Sequence, residues 1–258
     1  MKIIEQGYKI LTEISQYGMY ELMDLERVAR TCYRSEDKIK DQAESAEKLL
    51  KNLIKNGHEA MLEHGSISVE FTCDRAIANE LVRHRLASFA QESTRYCNYS
   101  KDKFGHEISV INPGFAEGTN DYTLWKSVCT LSEATYLEMT KYGAAPEMAR
   151  SVLPLSLATK IVVTANYREW RHIFKLRTAK DAHPQIRKLL TPLLEELKER
   201  IPIIFDDIGR TTIKEIAKKL YDEMPEHTSM DRMDEWDCMG LYKTMMEAAE
   251  ALDKQESI

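Results

Sequence analysis

Arginine and hydroxyl side chains are concentrated in one short stretch of the sequence. Residues 83–95 contain three arginines, one histidine and two serines, beginning with the triplet Arg83-His84-Arg85. Guanidinium groups bind phosphate through two hydrogen bonds and keep their charge at any working pH. The stretch therefore predicts a binding site for a phosphate or another polyanion. The residue types alone fit a solvated basic helix end equally well, because the helix dipole favours cations there.

Other kinds of ligand site have no signature in this sequence. No two of the ten glycines are two residues apart, which excludes a GxGxxG dinucleotide loop, and there is no P-loop. No group of His, Cys and Asp has the spacing of metal ligands, so we expect no metal. A GxSxG nucleophile elbow is also missing. Any phosphorylated ligand must therefore be held by arginines and helix N-termini.

A strand and a helix are predicted just before the arginine-rich stretch. Residues 66–73 alternate apolar and polar side chains, which is the period of a half-buried strand. Asp74 can then cap a helix that runs to about residue 85. On that helix Glu80, Arg83 and His84 would share one face, since they lie three and four residues apart. Residues 88–95 would follow as a polar segment whose groups converge on a ligand.

Helical patterns dominate the rest of the chain. Capping pairs, apolar residues at helical spacing and glycine stops predict four helices, at 41–56, 121–142, 166–177 and 185–200. The first and third begin with the capping-box pairs Asp41 with Glu44 and Asn166 with Glu169, and Pro192 kinks the fourth. Two further helices are predicted after Thr212 and at 241–253, with short strands at 160–164 and 108–111. The pattern favours a mixed α/β chain with more helix than strand.

Charge and cysteine use indicate a cytoplasmic protein. The net charge of −6 arises in residues 222–258, where eleven acidic residues face three basic ones, and the rest of the chain is slightly basic. The five cysteines are odd in number and far apart, which predicts no disulfide framework. No window of eighteen apolar residues and no signal peptide occurs, so we expect no contact with a membrane.

The arginine-rich stretch resembles the signature of a known family. Arg83-His84-Arg85 followed by seven residues and Ser93 is similar to the RHR motif of the flavin-dependent thymidylate synthases. Further blocks follow the family order: residues 57–59, 63–64, 149–155, 166–168, 176–177 and 182–187. The similarity covers roughly residues 50–200. We therefore expect a catalytic domain over 1–204 and an acidic, Met-rich helical extension over 205–258.

The resemblance implies a fold, an activity and a set of cofactors. Members of this family convert dUMP to dTMP, taking the carbon from methylenetetrahydrofolate and the hydride from FAD that NADPH has reduced. They are typically homotetramers with active sites at subunit interfaces, on helices around a mainly antiparallel sheet. In such an enzyme the protein positions the cofactors and tunes charge. The implied partners are thus small molecules and further copies of the chain, with no nucleic acid.

The resemblance also implies roles for individual residues. The residues that would contact FAD are His58, Ala60, Arg83, His84, Arg85, Gln91, Asn166, Arg168 and His172. Those that would hold dUMP are Glu80, Arg83, Gln91, Ser93, Arg95, Arg150 and Arg177. Arg177 would lie beside the pyrimidine and stabilise negative charge developing there. Each position also has a local explanation: Arg150 as a surface ion pair, Arg177 as a helix-end contact, Asn166 as an N-cap, and His58 as a loop residue.

Two possible nucleophiles are expected not to attack substrate. Ser93 is a weak nucleophile without an adjacent base, and His84 is the one candidate base nearby in sequence. We therefore expect Ser93 to orient substrate. Cys97 resembles in type the nucleophile of the folate-only thymidylate synthases, but nothing in the sequence lowers its pKa, which favours a buried, inert thiol.

Some positions depart from the family pattern and leave other functions open. Glu80 stands where glutamine is usual, Ala60 where a hydroxyl is common, Ala90 and His172 where asparagine is common, and Gln91 where glutamate is frequent, and residues 178–181 form a short insertion. One alternative is therefore an inactive flavin- or nucleotide-binding homologue. The other is a nucleic-acid-binding module that uses the arginines with Phe89, Tyr96 and Tyr99. Against this second alternative, the basic residues form one compact group.

Overall fold

The described part of the chain builds helices around a β-sheet. The structure is a computed structural model that describes residues 1–40 and 43–209. Its strands are β1 (Lys2–Ile3), β2 (Gly7–Ile10), β3 (Ser66–Asp74), β4 (Ala87–Gln91), β5 (Ser109–Val110) and β6 (Ala158–Asn166). Its helices are α1 (Met19–Thr31), α2 (Glu44–Lys55), α3 (Arg75–Leu81), α4 (Asn120–Lys141), α5 (Pro146–Ala149), α6 (Tyr167–Arg177) and α7 (Pro184–Arg200). The predicted helix-rich α/β class is confirmed.

Four strands form one antiparallel sheet in the order β2-β3-β6-β4. The long strands β3 and β6 pair over their full length, with Ser66 opposite Asn166 and Asp74 opposite Ala158. Strand β4 pairs with the other edge of β6, so that Ala87 lies opposite Ala165 and Gln91 opposite Ile161. Strands β1 and β5 form a separate parallel pair. The main sheet is thus antiparallel, as the family resemblance implies.

The two faces of the main sheet differ because side chains alternate along each strand. On one face the apolar side chains of β3 and β6 are buried and join one core with α1, α2, α6 and α7. On the other face Ser68 and Thr164 pair through their hydroxyls at 2.8 Å, and Lys160 lies 3.3 Å from Glu70. A second, smaller core packs beneath α4 around Tyr136 and Val110.

Most of the predicted elements are confirmed within the described residues. Strand β3 and helices α2, α4, α6 and α7 lie where periodicity and caps predict them, and Pro192 is inside α7. Asp74 caps α3 as expected, since its Oδ1 accepts the amide of Ile77 at 2.8 Å. Strand β4 replaces the predicted polar loop at 88–91, while α1 and β2 had no strong sequence signal. Strands β2 and β4 are formed by pairing with β3 and β6, and α1 is formed by packing on the core.

The predicted extension of α3 to residue 85 is wrong. The helix ends at Leu81, after which Arg83 and Arg85 are exposed and His84 is buried at 4% exposure. His84 therefore does not continue a helical face with Glu80 and Arg83. The chain must leave the helix here because the imidazole packs inward against α6 and the following residues pair with β6.

Some predictions fall on residues that the structure does not describe. These are the Asp41 cap, the helices after Thr212 and at 241–253, and most of the proposed extension. The main core continues past residue 204, since Phe205 and Ile208 are buried in it. Across 1–40 and 43–209, every helix is too short or too polar to cross a membrane.

Candidate active site

Arg177 is the centre of a group of polar side chains at the end of α6. Its Nε donates to Nε2 of His84 at 3.1 Å, and its terminal nitrogens donate to the Glu80 carboxylate at 2.9 Å and the Glu80 carbonyl at 3.2 Å. Arg177 therefore joins the C-terminal end of α6 to that of α3. The Arg177 side chain is 23% exposed, so this fixed positive charge is only partly buried.

His84 is neutral at physiological pH in this group. Burial, together with the smaller effects of the nearby charges of Arg177 and His172, lowers its pKa to about 4. Because the guanidinium can only donate, Nε2 of His84 accepts and Nδ1 carries the proton. Nδ1 lies 3.5 Å from Oε1 of Glu169, a buried carboxylate whose pKa is raised by burial. The His172 ring meets the His84 ring edge-on.

The same residues raise the question of a metal site. Potential ligand atoms of His84, Glu169 and His172 lie within 4.8 Å of one another. A histidine that binds metal through one nitrogen donates a hydrogen bond from the other. His84 cannot do so through Nε2, because the Arg177 N–H points at that atom, and a ligand bond from Nε2 itself would displace Arg177. The group suits a neutral imidazole held between Arg177 and Glu169 better than it suits a cation.

Arg83 and Arg85 flank His84 and provide a surface for phosphate. Both side chains are exposed and line a concave surface together with Asn79 and Val82. Neither arginine forms an ion pair with a carboxylate in the described part of the chain. Two guanidinium groups without counter-ions on one concave surface fit a diphosphate such as that of FAD.

A second arginine group lies beyond the far end of β4. Arg150 donates to the hydroxyl of Thr94 at 3.2 Å and to the carbonyl of Glu147 at 3.2 Å. Arg95 lies 3.8 Å from the Glu147 carboxylate. Instead of the surface ion pair that local reasoning suggested, Arg150 uses neutral acceptors and keeps its charge available to a ligand. The predicted phosphate contacts Arg95 and Arg150 are thus brought together.

Ser93 belongs to this second group and lies away from any base. Its Oγ accepts the Arg95 amide at 3.3 Å. His84 precedes β4 and Ser93 follows it, so five strand residues separate them. Within the described residues no histidine or carboxylate contacts the Ser93 hydroxyl. Burial raises the pKa of the Cys97 thiol, which therefore stays protonated.

A third group surrounds the start of α6. Asn166 caps the helix as predicted, accepting the Glu169 amide at 2.8 Å. Arg168 binds the Glu63 carboxylate at 2.6 Å. His58 and Ala60 lie on the exposed segment next to it, where Ala60 begins a short 3₁₀ turn to His64. Because Ser66 pairs with Asn166 and β4 begins beside Ala165, this third group lies at the same end of the sheet as Arg83–Arg85.

The predicted residues therefore divide between two ends of β4. Glu80, His84, His172 and Arg177 are in contact at one end, whereas Ser93, Arg95 and Arg150 assemble at the other. Gln91 ends the strand and its amide lies 3.4 Å from the Thr159 hydroxyl. The two ends are about 13 Å apart at the rise of an antiparallel strand.

Sequence reasoning missed the contribution of Glu169. Its spacing from Asn166 is that of a capping box, but the carboxylate faces His84 instead of returning to the Asn166 amide. Thr94 and Glu147, which hold Arg150, were also missed. The signal that could have found Glu169 is its position between two aromatic residues, Tyr167 and Trp170, both of which are buried.

Comparisons with known proteins identify the family of this chain. A family model described as thymidylate synthase complementing protein matches residues 20–203. The flavin-dependent thymidylate synthase of Pyrococcus furiosus is 34% identical over 188 residues, which cover 72% of this chain and 71% of that protein. The enzyme of the same name from Mycobacterium avium is 31% identical over 205 residues, covering 73% and 80% of the two chains.

A solved structure supports the fold. The crystal structure of a UMP/dUMP methylase, PolB, from Streptomyces cacaoi bound with 5-Br dUMP superposes with a TM-score of 0.66 at 20% identity, covering 80% of this chain and 96% of that one. The family model spans well over half of the chain, and the curated relatives match along most of their length. The chain therefore belongs to the thymidylate synthase complementing protein family, among the flavin-dependent thymidylate synthases.

Proposed function

We propose that this protein converts dUMP to dTMP, with methylenetetrahydrofolate as carbon donor, FAD as redox cofactor and NADPH as reductant. The observation that carries the proposal is the Arg177 group, in which a fixed guanidinium is held by neutral His84 and by Glu80. Its partly exposed side can stabilise negative charge that develops on a pyrimidine ring. The chemistry that bound FAD would supply, once NADPH has reduced it, is the hydride that turns the transferred carbon into a methyl group.

The chain's own residues bind and orient the reactants. Arg83 and Arg85, without counter-ions in the described chain, are suited to the FAD diphosphate, and His58, Asn166, Arg168 and His172 lie at the same end of the sheet. Arg95 and Arg150 are suited to the phosphate of dUMP, and Ser93 and Gln91 to orienting its polar atoms. Glu80 neutralises part of the Arg177 charge until substrate is bound. These roles form part of the proposal.

The absorbance spectrum of the purified protein tests flavin binding, and tritium release tests turnover. We expect a flavin spectrum, directly or after reconstitution with FAD, and NADPH-dependent release of tritium from dUMP labelled at C5. Flavin binding without tritium release would point to the inactive homologue. Protein that stays colourless after reconstitution would contradict both, and would direct attention to nucleic acid binding by the arginines.

The Ser93→Ala variant tests the orienting role of the serine. Because no base contacts its hydroxyl in the described chain, we expect kcat to fall by about tenfold without disappearing. Steady-state kinetics and dUMP titration measure the two effects separately. Complete loss of turnover with dUMP affinity intact would mean that Ser93 acts as a nucleophile.

The proposal includes a homotetramer with sites shared between copies. The separation of the two arginine groups by β4 supports it, because one nucleotide site would then combine one group from each copy. A stripe on α4 gives further support, since Leu124, Val128 and Leu131 are 60–67% exposed at helical spacing. Light scattering on the eluted protein should give the mass of four 29.8 kDa chains. A monomer with full activity would refute the shared site.

A cytoplasmic location is also part of this proposal. Within the described residues, Cys32, Cys73, Cys97 and Cys129 are free thiols. Free thiols fit a reducing compartment.

A further inference from the structure

Glu169 is a buried acid with no assigned role in substrate or cofactor binding. Its residue is 6% exposed, although it lies one turn from the start of a helix with a solvated side. Among the described residues, its carboxylate lies 3.5 Å from Nδ1 of His84 and within 4.8 Å of a ring nitrogen of His172. Burying an acid costs free energy unless a partner compensates. The position therefore calls for an explanation beyond helix capping, which Asn166 already provides.

The contacts of Glu169 continue through His84 to Arg177. The imidazole has two nitrogens, and Arg177 fixes the role of one of them by donating to Nε2 at 3.1 Å. The proton must then be on Nδ1, the ring nitrogen that lies 3.5 Å from the Glu169 carboxylate. A carboxylate at this place holds the ring in one orientation and makes Nε2 a better acceptor. Glu169, His84, Arg177 and Glu80 form one continuous chain of polar contacts between α6 and α3.

We infer that Glu169 is a positioning residue that acts through His84 to aim the guanidinium of Arg177 at the substrate. This inference rests on the proposed function for the role of Arg177, but the contact chain itself does not. Without the carboxylate the imidazole can rotate, and Arg177 keeps only its contacts with Glu80. A displacement of a catalytic group by about 1 Å can lower the rate of an enzyme about 10²-fold.

Histidine-labelled protein tests the contact chain without any turnover. In ¹⁵N spectra of the full chain, with His84→Gln used for assignment, we expect His84 to carry its proton on Nδ1 and to leave Nε2 unprotonated. In Glu169→Leu that proton should exchange with solvent at least tenfold faster. A wild-type His84 protonated on Nε2, or an exchange rate that the substitution leaves unchanged, would overturn the inference.

A double-mutant cycle tests the path from Glu169 to Arg177. We expect Glu169→Leu to lower kcat/KM for dUMP about tenfold in the wild type, and less than twofold in the Arg177→Lys background. An equal loss in both backgrounds would show that Glu169 does not act through Arg177. Glu169→Gln, which keeps an acceptor oxygen, should lose less activity than the leucine variant, and it replaces that variant if thermal melting shows Glu169→Leu to be unfolded.

A matched control separates these effects from general loss of charge. Glu195→Gln changes an exposed glutamate on α7 that lies 2.8 Å from Lys198. It should alter neither the His84 spectrum nor turnover. If the wild-type protein forms no dTMP, the proposed function fails while the ¹⁵N spectra still decide whether Glu169 holds His84.

Discussion

Helix α6 carries two arginines, one buried and one partly exposed, whose charges are balanced in different ways. Arg171, 2% exposed, binds both oxygens of Asp207 at 2.6 and 2.8 Å, the Glu59 carboxylate at 3.0 Å and the carbonyl of Ile204. Arg177, six residues later, has one carboxylate, one carbonyl and a neutral imidazole. The first guanidinium is surrounded by acceptors, and the second keeps an open side.

This difference separates a structural arginine from one that can serve a ligand. Arg171 connects three parts of the chain: α6, the segment at Glu59 and the residues after α7. Its charge is balanced by Asp207 and by Glu59, which Arg168 and Lys175 also approach at 3.9 Å, so all of its donors are engaged within the protein. In the part of the chain that the structure describes, Glu80 is the one carboxylate paired with Arg177, and His84 is uncharged. A nucleotide anion can therefore interact with Arg177 without first displacing a closed set of ion pairs.

Removing Arg171 should produce the largest effect on stability. We expect Arg171→Met to lower the free energy of unfolding by about 3 kcal/mol, because it leaves two carboxylates without their shared partner. That loss corresponds to a fall of about 10 °C in melting temperature. Arg27→Met, which breaks an exposed pair with Asp24 at 3.8 Å, is the control and should cost less than about 1 kcal/mol. Equal melting temperatures for the two variants would show that Arg171 contributes no more to stability than an exposed arginine does.

Replacing Arg177 should instead affect activity. We expect Arg177→Lys to lower kcat/KM for dUMP by about 10²–10³-fold, since lysine cannot keep the fixed fork of donors. Its melting temperature should stay within about 3 °C of wild type, because both partners are partly exposed. Steady-state kinetics and thermal melting on the same preparation measure both quantities. A stability loss as large as that of Arg171→Met would contradict the comparison.

More of the fold than of these side-chain contacts could be predicted from the sequence. Periodicity located β3 and α7 because a buried face repeats along each of them. It located α4 because Leu124, Val128 and Leu131 repeat at helical spacing, although these side chains are exposed. Strand β4 was missed because Ala87–Gln91 is short and has small residues, and its pairing with β6 is decided by tertiary contacts. The resemblance to a family pointed to Arg177 and His84. The role of Glu169 was not predicted, because a local capping pattern explained it and its partner is distant in sequence.

As the pH is lowered, the protein should first lose stability through His84, which belongs to the Arg177 group. Burial lowers the pKa of His84 to about 4, whereas the unfolded chain has an ordinary histidine pKa near 6.5. Between these values the unfolded state binds more protons, so stability falls as the pH drops from about 6.5 toward 4. At pH 5 the loss is about 2 kcal/mol. Urea unfolding at several pH values should show that His84→Gln flattens this region, while His64→Gln, at an exposed ring, does not.

Replacing Asp207, the partner of Arg171, should have the smallest effect on stability of the changes considered. Burial raises the pKa of Asp207, but its hydrogen bonds and charge interaction with Arg171 outweigh this and leave the pKa below the ordinary value. The resulting stability is present above an unfolded pKa of about 4 and is lost only as the pH falls below it. Because the side chain is 50% exposed, Asp207→Asn should cost less than about 1 kcal/mol at pH 7.

The two groups should consequently respond in separate pH ranges. Between pH 6.5 and 4 wild type and Asp207→Asn should lose stability in parallel, since His84 dominates there, and below pH 4 the variant should lose less than wild type. If the stability curve of Asp207→Asn diverged from that of wild type already at pH 6, the Arg171 and Arg177 groups would have to titrate together. Parallel curves down to pH 4 would mean that the Arg171 and Arg177 groups titrate independently of each other along α6.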